Sequence, residues 1–127
     1  MGVMFTEPID MVAAPPSLTH VQAAYAFAIF SDAMEPRYFV GEIVHVHPGI
    51  PARAGDFVLF GLTDGTVCIA RLDPSHDDRC RFRILSPRPE YARSTSEDVE
   101  IEDDGHVYAI PRTRVAYVHK IVGSASS

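Results

Sequence analysis

The chain has 127 residues, 46% of them hydrophobic, with a formal net charge of −6. That length suits one domain with a single modest core, and the acidic balance argues against a dedicated nucleic-acid surface, which needs clustered Lys and Arg. With no run of 18 or more apolar residues no membrane span is expected, and no secretory signal is read from residues 1–16, which mix Glu7, Asp10 and three prolines.

In chain order, residues 1–16 contain prolines and lack periodicity, so they read as an N-terminal arm. Residues 17–24 suit a short helical turn, and the aromatic, apolar run 25–30 a buried strand. A helical turn is expected over 34–38. Ile43, Val44 and Val46, flanked by His45 and His47, make a strand that Pro48-Gly49 ends. Residues 51–56 form a connector before a strand at 57–60. Asp64-Gly65 is the strongest hairpin signal of the chain, and 66–72 returns as the next strand.

A polar loop at 73–79 leads into a strand at 80–85, where Arg79, Arg81 and Arg83 alternate with Cys80, Phe82 and Ile84. Pro87 and Pro89 open a loop, and the acidic run 97–104 reads as a solvated loop or edge. Strands at 107–110 and 115–122 close the domain, which runs over 17–123, and 124–127 form a flexible tail. The fold class is therefore mainly β, with little helix.

The chemistry-bearing segment is Ser31-Asp32-Ala33-Met34-Glu35-Pro36, followed by Gly41-Glu42-Ile43-Val44. Further on come Gly55-Asp56-Phe57-Val58, Ile69-Ala70-Arg71-Leu72 and Val118-His119-Lys120-Ile121-Val122-Gly123. In this order and spacing the chain resembles the C-terminal domains of the LexA, UmuD and phage-repressor family of self-cleaving serine peptidases, over residues 15–123. The resemblance implies a LexA-like peptidase fold of twisted antiparallel sheets. It also implies a Ser/Lys dyad, in which a neutral lysine takes the serine hydroxyl proton. In the motif G-D-S-M-x-P the serine matches Ala33, and in V-K-R/K-L the lysine matches Ala70, 37 positions later. Both dyad positions are thus alanine, and no catalytic residue is intact.

The motif neighbours do not replace them. Arg71 points to the opposite strand face from Ala70 and stays protonated. Ser31, at the usual glycine, is two residues from the attack position, and Met34 and Pro36 carry no nucleophile. A cryptic nucleophile at Cys68 would need an activating base; a packed core cysteine is expected there and at Cys80, both free in a reducing cytoplasm. The Ala-Gly or Cys-Gly bond that the family cleaves has no counterpart before residue 33. Natural loss and deliberate mutation both explain a double alanine; Ser31 and the missing scissile pair favour natural loss.

His45 and His47 share a strand face, but no further metal ligand stands at a suggestive spacing, so no metal or other cofactor is expected. The arginine stripe suits a solvated face or, as the sharper reading, an acidic partner. The resemblance implies a homodimer, with strand 115–122 as the pairing edge. It also allows a heterodimer with a full-length repressor or peptidase-like subunit, and a peptide in the old cleft. Residues 1–24 are too short for a helix-turn-helix, so a stand-alone, cytoplasmic regulator of transcription or the SOS response is expected, with no direct contact to nucleic acid or membrane. The alternative is a self-cleaving peptidase whose dyad has been mutated.

Overall fold

The structure is a computed structural model that describes residues 24–29, 31–75, 78–93 and 95–125. The expected arm, the helical turn from residue 17 and the last two tail residues lie outside them. Among the described residues, eight strands form one antiparallel sheet: β1 Tyr25–Ala28, β2 Ile43–His47, β3 Phe57–Leu62, β4 Val67–Asp73, β5 Arg79–Arg83, β6 Glu100–Glu102, β7 Val107–Pro111 and β8 Val115–Ala125. Their order across the sheet is β1-β2-β8-β3-β4-β5-β7-β6. The helix α1, Pro89–Arg93, lies where a loop was expected. Five residues in a proline-bordered stretch are too few to generate a periodic signal.

The strands follow the alternation of the sequence. β5 buries Cys80 and Phe82 and turns its three arginines outward. β3 instead is buried from Val58 to Leu62, because the sheet folds over it and brings Phe60 into a parallel stack on Phe82 with centroids 3.7 Å apart. Two such fully buried rings contribute about 2 kcal/mol each by area. The β3–β4 hairpin turns at Asp64-Gly65. There Gly65 takes φ 95°, a region that L side chains rarely enter, and Asp64 Oδ1 accepts from Thr66 N at 2.9 Å.

The closing strand differs from expectation in two ways. β8 is the seam of the sheet rather than its edge: Val115–Lys120 pair with β3, and Lys120–Ala125 pair with β2. It also continues through Ser124 and Ala125, opposite Val44 and Ile43, so two residues assigned to the tail belong to a strand. Register shifts at Gly61/Leu62 and His45/Val46 mark bulges opposite Ala116 and Val122, which let this one strand bend from β3 to β2. No helix among the described residues is long and apolar enough to cross a membrane.

Candidate functional site: two buried alanines in a clamped turn

Residues 31–38 form a compact turn between β1 and β2 rather than the expected helical turn. The Asp32 carbonyl accepts from Glu35 N at 3.2 Å, and the Met34 carbonyl accepts from Arg37 N at 2.8 Å and Tyr38 N at 3.0 Å; Pro36 between them has no N–H to donate. Met34 and Tyr38 are buried, and Tyr38 meets the Phe57 ring edge-on at 5.4 Å. Within this turn Ala33 is 1% exposed. Its carbonyl accepts from Leu85 N and Ser86 N at 3.0 and 2.9 Å, and its N–H donates to Ser31 Oγ at 3.2 Å.

The segment 85–91 holds the turn in place. Ser86 Oγ donates to the Glu35 carbonyl at 2.6 Å, Arg88 Nη2 lies 2.6 Å from Asp32 Oδ2, and the Tyr91 hydroxyl donates to Asp32 Oδ1. The Tyr91 hydrogen bond, with help from Arg88, holds the Asp32 carboxyl below its ordinary range. Burial, and then the Asp32 charge, push the Tyr91 phenol up to about 12. Asp32 is therefore committed to this clamp as an anion.

Ala70 lies on β4, 0% exposed, opposite Val58 of β3, which in turn faces Lys120 of β8. Cys68, two residues away on the same face, is also buried. Ala33 and Ala70 belong to one buried core cluster with Val58, Leu59, Phe60 and Phe82. Arg71 is on the other face, opposite Phe57 and Arg83, with its guanidinium 3.6 Å from Asp73. The structure thus brings Ser31, Asp32, Ala33, Met34 and Pro36 together in the turn, and sets Arg71 apart from Ala70.

Other sequence features resolve differently. The arginine stripe of β5 meets carboxylates of its own chain: Arg79 faces Glu100 at 3.9 Å, Arg81 faces Glu102 at 3.2 Å, and Arg83 faces Asp73 and Asp103 at 3.1 and 2.7 Å. The acidic run is therefore an edge strand and turn that neutralise the stripe across β7. Ala109, between Arg81 and Glu100, is small enough to let the side chains meet over it. His45 is exposed, His47 Nδ1 accepts from Gly49 N at 3.1 Å, and no cluster of three metal-ligating side chains exists among the described residues.

One buried polar cluster was not anticipated. His119 of β8 is 6% exposed; its Nδ1 is hydrogen-bonded to the Tyr25 hydroxyl at 2.9 Å, and its ring stacks on Tyr117 at 4.6 Å. Burial lowers the His119 pKa and raises those of Tyr25 and Tyr117. The period-2 pattern of β8 places 117, 119 and 121 on one face, which is the signal that could have found it.

A model of the Peptidase S24-like family matches residues 2–118. The chain belongs to the Peptidase S24-like family. Repressor protein C of Rhizobium phage 16-3 is 49% identical to this S24-like chain over 51 residues, which are 40% of the chain and 19% of that repressor. The match thus spans about a fifth of the repressor's length. No solved structure matches the chain.

Proposed function

We propose that this S24-like chain is a non-catalytic regulatory domain that acts by pairing, either with a second copy or with a full-length repressor or peptidase-like subunit. Its setting would be control of transcription or of the DNA-damage response. The observation that carries this reading is the burial of alanine at both dyad positions. A methyl group at 33 supplies no nucleophile and one at 70 no base, and both lie buried in one core cluster. Neighbouring groups are engaged elsewhere: Ser31 Oγ accepts from Ala33 N, and Asp32 is held by Arg88 and Tyr91. The similarity to a phage repressor supports the regulatory setting.

For pairing, β8 supplies the natural surface even though it is internal. Its Ile121–Ala125 half pairs with β2 on one side, and Val122 on that half is 47% exposed. A second copy adding strand to strand there would continue the sheet about a two-fold axis. Sedimentation equilibrium tests the reading, together with an incubation of the purified protein between pH 7 and 10. A dimer that stays uncut supports it; a monomer at all concentrations that also fails to join a co-expressed S24-like repressor, or any self-cleavage, overturns it.

A second reading is a self-cleaving Ser/Lys peptidase that carries alanine at both positions. The frame around them favours it: the turn is fully hydrogen-bonded and the β4 position is enclosed by apolar side chains, the setting in which a lysine loses its proton. The Ala33→Ser, Ala70→Lys double variant should then cleave its own chain faster as pH rises. An inert, folded double variant removes this reading.

A further inference from the structure

Two arginines flank Phe57 on the face away from Ala70, and neither is fully partnered. Arg37 lies over the rings of Tyr38 and Phe57, with its guanidinium carbon 4.4 and 5.3 Å from the two centroids. It is exposed and makes no ion pair among the described residues. On the neighbouring strand, Arg71 is the cross-strand partner of Phe57, so its stem lies beside the same ring. Its Nε–H is buried and has no hydrogen-bond acceptor among the described residues, a rare condition in folded proteins.

The reason is competition for one carboxylate. Arg71 sits directly opposite Arg83, a like-charge pair, and both arginines turn to Asp73. Arg83 wins, with its Nε 3.1 and 3.3 Å from the two Asp73 oxygens, and leaves Arg71 at 3.6 Å. A further anion at the exposed end of the Arg71 guanidinium would offset that repulsion.

We propose that Arg37, Phe57 and Arg71 form a carboxylate-binding strip that receives an acidic side chain of an apolar peptide. The strip offers a point anion apolar surroundings: Arg37 lies over the Tyr38 and Phe57 rings, and Arg71 is the cross-strand partner of Phe57. Phe39 and Val40, which follow in the chain, are 49% and 57% exposed and offer apolar contact next to Arg37. A nucleic-acid backbone does not fit, because it needs a continuous basic track. Here Arg79, Arg81, Arg83, Arg88 and Arg114 are each already paired with carboxylates. The strip goes beyond the pairing role and needs neither a dimer nor a dyad.

The test uses the whole 15N-labelled chain and a capped five-residue peptide with a central glutamate between apolar residues. The arginine Nε–Hε resonances report the contact directly. The proposal expects saturable shifts of the Arg37 and Arg71 signals, at least fivefold weaker binding of the glutamine counterpart, and a similar loss in Arg71→Gln. Should Arg71→Gln fail to fold, the exposed Arg37→Gln carries the same expectation. Absence of a saturable shift, equal binding of the two peptides, or shifts centred on β5 would overturn it, as would inorganic phosphate binding as well as the peptide. The peptide titration is read at any oligomeric state, so a monomeric protein that binds separates this proposal from the pairing role.

Discussion

Ala33 and Ala70 on one side, and the Tyr25–His119–Tyr117 cluster on the other, are two deeply buried places with opposite solutions to the same problem. At the first, the side chains themselves are apolar: two methyl groups sit in a buried core, and only the backbone of Ala33 makes hydrogen bonds, to Leu85 N, Ser86 N and Ser31 Oγ. At the second, an imidazole and two phenols are kept, and the His119 nitrogen has its partner in Tyr25. A polar side chain survives burial when it is partnered. A lone serine hydroxyl at 33 or ammonium at 70 would have to find such a partner within this core.

The sharpest way to break the contrast is to restore charge where it is missing. Ala70→Lys alone should destabilise the fold by about 3 kcal/mol or more, because it buries an unpaired ammonium. Its folded-state pKa would be depressed, so the penalty should be larger at pH 7 than at pH 10; denaturant melts at the two values measure it. An unchanged midpoint at pH 7 would show that the site is wetter than its burial implies.

Next comes Gly61→Ala. A Cβ there would stand 2.3 to 2.6 Å from the Tyr117 ring, which would have to leave its stack on His119. A loss of about 2 kcal/mol is expected, read by thermal melting. Tyr25→Phe removes only the hydroxyl bonded to His119 and should cost about 1 kcal/mol.

The same cluster predicts a pH dependence. Burial lowers the folded-state His119 pKa below 6.5, so the unfolded chain takes up the proton first. The stability contributed by the neutral ring is present above about pH 6.5 and is lost as pH falls through the lowered value. His119→Phe should flatten the fall in Tm between pH 7 and 5, and an unaltered slope would place the acid sensitivity elsewhere. The smallest effect belongs to the surface ladder: Glu102→Gln should cost about 0.5 kcal/mol, and less at high salt.

The sequence was most legible where the signal is local. Asp64-Gly65 named its hairpin, the alternation of residues 79–84 named β5, and the motifs around Met34 and Arg71 carried the family resemblance that the S24-like match supports. It was least legible where partners are distant in the chain. Nothing near Arg81 announces that Glu102 will neutralise it from two strands away, so the stripe and the acidic run looked like separate solvated faces. Likewise, β8 resembled an edge because a terminal strand has no following neighbour in sequence. Its place between β2 and β3 is a property of the whole sheet. His119 was hidden inside a motif read for resemblance, when its alternation with Tyr117 and Ile121 already indicated a buried face.

The position of β8 also sets a timetable. The β1–β2 pair and the β3–β7 strands share no backbone pairing except through this strand. During synthesis, both groups can form their hairpins early, and the turn before β2 can meet residues 85–91, but strand pairing cannot join them into one sheet until residues 115–125 have emerged. Long loops must then close around β8, a slow kind of assembly. Any interruption of the chain before Val115 would leave two sheets with exposed edges in place of one. The nascent sheet therefore depends on β8 for covering its edges as much as for shape.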